Sequence, residues 1–380
     1  MNQRFSIFDV IVVSGIIQGL LYSMILWQNP VKSRVKNTAI SLLLVMVLLS
    51  CKILLHTLGL WNQPLFRYFP LAIDTLFQPL IYLYALALTG DSERIRQQKT
   101  LHWLIPGFFL AHGLLVYFLT VGEPNMALKE AVAKKWHYNS VKRTEDFLAI
   151  VSAVGYWIAS FLHIRNYRKW LFQNKSATRY PELTWMRNLL TGSGIFIIAL
   201  FLSSWQANIL QTGSPFLYTQ LFYIYLTFLI YFFAIYGSQY LWSFPFTEQL
   251  SHSGSEPAVT GEQKIPFEKI HEAILEGLEV KKLYLDPELT LKQLAAYTGY
   301  PLAQVSATIN RTFDQNFRNL INTYRVNEVR RRLSDPAFQH LTLLGIALES
   351  GFNSEASFYR IFRKFDGDSP KNYLRSLKGH

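Results

Sequence analysis

Lys52 and His56 stand four residues apart inside one long apolar run, and Asp74 and Gln78 stand four apart inside the next. At helical spacing each pair shares a face, and an ionisable group in such surroundings is costly unless it is paired or lines a site. Asp9, near the start of the first apolar run, and Gln206 and Asn208, toward the end of the sixth, are further polar groups of this kind. Two readings follow: Lys52 and Asp74 form an ion pair that holds helices together, or the group lines a cavity where a ligand shifts a helix bundle. Gly15 and Gly19 make a GxxxG face on the first run, suited to close packing within the chain or between two copies. Metal and hydrolytic chemistry finds little material. There is no His-Glu-x-x-His, Cys51 is the only cysteine, and no glycine-rich phosphate loop precedes a helix. The chain is therefore read as no enzyme, with no metal and no cofactor.

The elements that must carry these groups follow from composition. Of 380 residues, 50% are apolar and only 16% charged, where a soluble protein has about 25% charged. Apolar runs recur at 6–27, 38–60, 68–89, 101–121, 146–164, 187–210 and 215–237, then stop. Each approaches the ~20 residues that cross ~30 Å of hydrocarbon. Trp27, Trp61, Trp103, Trp185 and Trp242 near run ends fit an interfacial belt. Residues 1–242 thus read as a seven-span transmembrane sensor domain in a lipid bilayer. With the amino terminus outside, the inner loops hold Lys32, Arg34 and Lys36, then Arg94, Arg96 and Lys99, then Arg165, Arg168, Lys169, Lys175 and Arg179. The longer outer loop between Lys129 and Arg143 is also basic, which weakens the charge asymmetry without reversing it. Seven spans then leave the carboxyl terminus in the cytoplasm.

Residues 243–264 include the Ser- and Gly-rich stretch SHSGSEPAVTGEQ and read as a flexible linker. Beyond it, 265–380 has the hydropathy of a soluble domain. Phe267, Ile270, Ile274 and Leu278 recur at helical spacing behind Pro266. Ala295, Gly299 and Val305 then supply the small residue at a helix crossing, the turn glycine and the apolar seat of a second helix. The pattern returns 52 residues later as Ala347, Gly351 and Phe358, with the second turn one residue longer. Between them, Phe317 to Leu333 reads as one helix with Leu320, Ile321, Tyr324 and Val329 inward.

Over about residues 281–376 this text resembles the DNA-binding domain of the AraC family of bacterial transcription regulators. The resemblance rests on Tyr284–Thr290, Asn322–Val326, Ile346-Ala347, Gly351-Phe352-Asn353-Ser354, and then Phe358, Arg360, Phe362, Lys364, Gly367, Ser369, Pro370 and Tyr373. It implies two helix-turn-helix subdomains on a rigid connecting helix, placing two recognition helices in successive major-groove segments. It further implies a first reading surface of Ala303, Gln304, Ser306, Ala307 and Asn310, and a second of Glu355, Ala356, Ser357 and Arg360. Gln304 suits adenine, Arg360 guanine or phosphate, and Glu355 cytosine, although Glu355 equally suits the positive end of its helix. Arg363 and Lys364 suit phosphate contacts. The run Arg330, Arg331, Arg332 reads as a solvated face or as a DNA contact. Both surfaces are poor in long basic readers, which favours a homodimer on a repeated site.

The expected fold is therefore all-α: a seven-helix transmembrane bundle followed by a double helix-turn-helix domain. The resemblance implies a one-component regulator in the bacterial inner membrane, binding double-stranded promoter DNA and answering an extracytoplasmic or lipid-borne ligand. The rivals are a transporter or sensor whose helix-turn-helix domain binds protein, and a membrane enzyme of unrecognised type. The charge of +12 divides unevenly between the halves. Residues before Ser243 carry 20 Lys and Arg against 9 acids, whereas 289–380 carry 13 against 7. Most of the basic balance thus belongs to the apolar half, where it orients spans and meets anionic lipid.

Overall fold

The computed structural model describes residues 6–30, 33–91, 94–95, 101–176, 181–210, 215–243 and 267–378. Their secondary structure is helical throughout, apart from one isolated antiparallel bridge between Lys175 and Thr290. The expected linker, 243–264, lies almost wholly outside these residues. The chain forms two compact units, Met1–Arg165 with Leu183–His252, and Asn166–Glu182 with Ser253–His380.

The first unit is built from α1 (Ile7–Gln28), α2 (Arg34–Thr57), α3 (Phe77–Leu88), α4 (Leu101–Thr120), α5 (Met126–Lys135), most of α6 (Tyr138–Asn174), α7 (Thr184–Leu210) and α8 (Pro215–Ser243). Each run expected to span contains a helix, although the third is helical only from Phe77. Among the described residues, five helices are long and apolar enough to cross a membrane: those in α1, α2, α4, α6 and α8. The side chains of α7 beyond residue 199 are outside the described set, and with them Gln206 and Asn208.

The third run departs from its expected bounds. Instead of a helix over 68–89, helix begins only at Phe77, and its 12 residues rise about 18 Å. Pro70 disfavours helical backbone at Phe69 before it, and Tyr68 sits at a φ of 63°, so the chain turns here before helix can start. Pro79, by contrast, occupies the first turn of α3, where a missing N–H costs nothing.

The two glycines of α1 serve internal packing. A Cβ on Gly19 would lie 2.5 Å from Val47 of α2, and one on Gly15 would lie 3.0 Å from Thr227 of α8. Asp9 is equally explained. It caps α1 reciprocally with Ser6, whose N–H and hydroxyl donate to Asp9 Oδ2 at 2.9 and 2.6 Å, and it is 2% exposed. The sequence grouped Asp9 with a ligand cavity; in the structure one of its carboxylate oxygens, Oδ2, serves a capping box.

The second unit holds α9 (Phe267–Leu275), α10 (Leu291–Thr298), α11 (Leu302–Thr312), α12 (Phe317–Ser334), α13 (Leu343–Glu349), α14 (Glu355–Asp366) and α15 (Pro370–Lys378). It contains two cores. Ile270, Ile274, Leu278, Leu294, Val305 and Ile309 form the first with Phe317, Leu320 and Ile321 of α12. Ile346, Ala347, Phe352, Phe358, Ile361 and Phe362 form the second with Val326 and Val329 of the same helix. One continuous helix thus contributes to both cores, which fixes the two subdomains to each other.

Candidate functional site

Each subdomain presents its second helix by the same device. In the first, Thr290 caps α10: its hydroxyl accepts from the N–H of Gln293 at 3.2 Å, and its own N–H donates to Gln293 Oε1 at 2.6 Å. Gly299 ends α10 at a φ of 75°, a left-handed conformation that suits glycine. Val305 and Ile309 then seat α11 in the core, both at most 1% exposed. Ala303, Gln304, Ser306 and Ala307 are left half-buried and Asn310 exposed on its remaining surface.

In the second subdomain Thr342 caps α13 and Ser354 caps α14, each accepting a backbone N–H three residues on. Phe358, Ile361 and Phe362 are the buried seat of α14. Glu355, Ala356, Arg360, Arg363 and Lys364 are exposed on its other side. Ser357 is not among them. It is 6% exposed and its hydroxyl donates to Ser354 O at 2.9 Å, because the helical step from Phe358 carries it inward to the cap. Glu355 occupies the first turn, where a carboxylate is favoured by the helix dipole.

Residues 294–376 match the family of helix-turn-helix domains. A 92-residue stretch is 30% identical to an uncharacterized HTH-type transcriptional regulator of Staphylococcus aureus, covering 24% of this chain and 12% of that protein. A 90-residue stretch is 32% identical to the melibiose operon regulatory protein of Escherichia coli, covering 24% of this chain and 29% of that protein. The likeness therefore spans a minor part of each relative. No solved structure gives a significant match. The carboxyl-terminal unit contains an AraC-type helix-turn-helix domain.

Within the AraC-type domain the basic run of α12 is turned to internal use. Arg331 donates to both oxygens of Glu328 at 3.0 and 2.8 Å, and Arg332 donates to Glu328 at 2.8 Å and to Glu349 at 2.6 Å. Arg330 pairs with Asp366 of α14. This run is therefore neither a purely solvated face nor a set of free phosphate contacts. The Arg331 hydrogen bonds, followed by those of Arg332, hold the Glu328 carboxyl down to about 2.

Two cations of α12 were given no role in the sequence reading, although Arg325 lies in the stretch that carries the resemblance. Arg325 is fully buried; its Nε donates to Tyr284 O at 2.8 Å and its Nη2 to Asp286 O at 2.6 Å. Arg318 is 2% exposed and lies 5.1 Å over the ring of Phe172. Burial pushes both guanidinium groups down to about 10. The available signal was periodicity. Arg318, Asn322, Arg325 and Val329 recur at spacings of four, three and four, which places them on one stripe of the helix.

The segment Asn166–Glu182, which the sequence counted among loop charges of the apolar half, belongs to this unit. Ser176 donates its N–H to Leu289 O at 3.4 Å and its hydroxyl accepts from Arg325 Nη2 at 3.3 Å. Glu182 lies 3.4 Å from Arg318 and 3.1 Å from Arg360. Residues 177–180 between them lie outside the described set.

In the first unit, Lys52 and Asp74 do form an ion pair, and it belongs to a larger network. Lys142 of α6 reaches Asp74 at 2.6 Å, Glu145 at 2.7 Å and Asp146 at 2.9 Å. Glu145 also accepts the N–H of Asp74 at 3.3 Å. His56 stacks on Trp61 at 4.6 Å. Lys52, His56, Trp61, His112, Lys142 and Glu145 line a cavity of about 160 Å³. Asp74 supports this cavity through its lysine partners, whereas Gln78 has no part in its lining. Sequence reasoning missed Lys142 and Glu145 because they precede the apolar part of their helix, and their partners come from segments distant in sequence.

Proposed function

We propose that the chain is a membrane-integrated, one-component transcription regulator. Its AraC-type domain binds promoter DNA as a homodimer, and its apolar half responds to an extracytoplasmic or lipid-borne ligand. The observation that carries the reading is the pair of helices α11 and α14, each seated by a buried apolar row with its remaining face outward, on one shared helix. Such a frame fixes two reading surfaces for adjacent groove segments. Phosphate contacts supply affinity and base-edge contacts selectivity. The names of the relatives, HTH-type transcriptional regulator and melibiose operon regulatory protein, support regulation as the output.

Five helices of membrane-crossing length and composition support the location in the bacterial inner membrane. The seven apolar runs are read as seven spans, and the charge distribution supports an outside amino terminus and a cytoplasmic AraC-type domain. The turn before α3 fits this setting. Non-helical backbone is tolerated at membrane depth where it lines a cavity, and Phe69, Leu71 and Ala72 line the one beside Lys52. That cavity is the proposed ligand site, and a ligand acts there only through unequal affinity for two states of the bundle.

The test is retention of duplexes from a randomised pool by the full chain in lipid nanodiscs, repeated across salt. Sequence-selective retention that weakens with rising salt is expected. No selective retention at any salt overturns the regulator reading in favour of a protein-interaction role for the AraC-type domain.

A further inference from the structure

The surface that joins Arg318, Arg325 and Arg360 is occupied by a segment of this same chain. Phe172 stacks under Arg318, Ser176 is hydrogen-bonded to Leu289 and Arg325, and Lys175 bridges to Thr290 just ahead of α10. Tyr167 and Arg168 brace the far end, Tyr167 donating to Pro181 O at 3.0 Å and Arg168 to Glu182 O. The braced Glu182 presents its carboxylate to Arg318 and Arg360 together. Arg360 stands on the outward side of α14, the helix of the second reading surface. A guanidinium whose donors face a carboxylate at 3.1 Å is diverted from a base or phosphate, and the carboxylate itself repels a polyanion at close range.

We propose that Asn166–Glu182 is an intrachain competitor for DNA. Docked, Glu182 holds Arg360 and Arg318 and blocks the second reading surface. Released, it leaves Arg360 to the DNA and returns a second positive charge to the same face. The segment continues from α6, the helix that supplies Lys142 and Glu145 to the cavity, so its docking is a point at which a signal can act. This inference rests on the regulator reading and specifies how its DNA-binding surface is controlled.

The experiment uses the full chain in nanodiscs and duplexes selected from a randomised pool by the wild-type protein and, in parallel, by the Glu182→Gln protein. Glu182→Gln is expected to bind its selected duplex on the order of tenfold tighter than the wild type, a change of about 1.4 kcal/mol. Phe172→Ala, which loosens the segment without altering its charge, is expected to tighten binding as well. Amide hydrogen exchange at Ser176 is expected to speed up when DNA is added to the wild-type chain. If the wild type selects a duplex and neither variant binds it more tightly, the competition is overturned while the regulator reading stands. A gain for Glu182→Gln without one for Phe172→Ala also overturns it, because bulk charge alone then accounts for the change. If no protein selects any duplex, the regulator reading falls and the inference with it.

Discussion

Gly351 packs so closely against Tyr284 that a Cβ built on it would lie 2.4 Å from the Tyr284 carbonyl oxygen and 2.9 Å from Arg325 Nε. The turn of the second helix-turn-helix therefore rests on the approach to the first, with Arg325 bonded to the same carbonyl. At a φ of 91° the position is also one that a side chain rarely adopts. Gly351→Ala should cost about 2–4 kcal/mol, combining left-handed strain with backbone overlap. Chemical unfolding of the carboxyl-terminal unit within the full chain measures it, and a loss below about 0.5 kcal/mol would contradict the contact.

Acid should weaken the AraC-type domain through Glu328. Its carboxyl is held at about 2 against an ordinary value of 4.5, with Arg331 the leading cause. A depressed carboxyl contributes stability that is fully present above the unfolded value and disappears as pH falls through the folded one. Stability should thus decline between about pH 4.5 and 2, and Glu328→Gln should be less stable at neutral pH and lack this component. A pH series of denaturant midpoints for both proteins checks the sign.

Arg360→Ala should cost about 1–3 kcal/mol of specific DNA affinity and relax the preference at one base pair, as expected for a base-edge contact. Arg363→Ala and Lys364→Ala should instead weaken binding to all sequences and each lower the salt slope by about one. Arg330→Ala should leave the salt slope unchanged, because its charge is engaged by Asp366. Binding titrations at several salt concentrations separate the three cases.

Asp74→Ala should destabilise the helix bundle by about 1–3 kcal/mol, since half-buried Lys52 loses its carboxylate partner while Lys142 keeps Glu145 and Asp146. Lys52 and Lys142 both lose a carboxylate in this variant. Thermal unfolding in nanodiscs is the readout. Intact stability with lost signalling would assign Asp74 to ligand response instead.

Gly19→Ala should separate α1 from α2, because the added Cβ meets Val47 at 2.5 Å. The expected cost is about 1–3 kcal/mol, the range for overpacking a tight contact. Val47→Ala in the same chain should recover part of it, which a double-mutant unfolding cycle would reveal.

Much of the helical organisation was legible from residue order, because a helix expresses its buried face as a local period. Ala295, Gly299 and Val305, and again Ala347, Gly351 and Phe358, announced two helix crossings with their turns, and all but the exposed Gly299 are buried. The third apolar run was misjudged for a related reason. Hydropathy averages over Tyr68, Pro70 and Asp74, whereas backbone geometry is decided by each of them singly.

By itself the sequence determined the helical class, the apolar character of the first half and the repeated helix-turn-helix pattern, all of which depend on periods of a few residues. Only the tertiary structure decided where the charges go. It assigned Arg331 and Arg332 to Glu328, Lys142 to Asp74, and Glu182 to Arg318 and Arg360. Coulombic and hydrogen-bond partners act over ångströms in space irrespective of separation along the chain, and 178 residues divide Glu182 from Arg360.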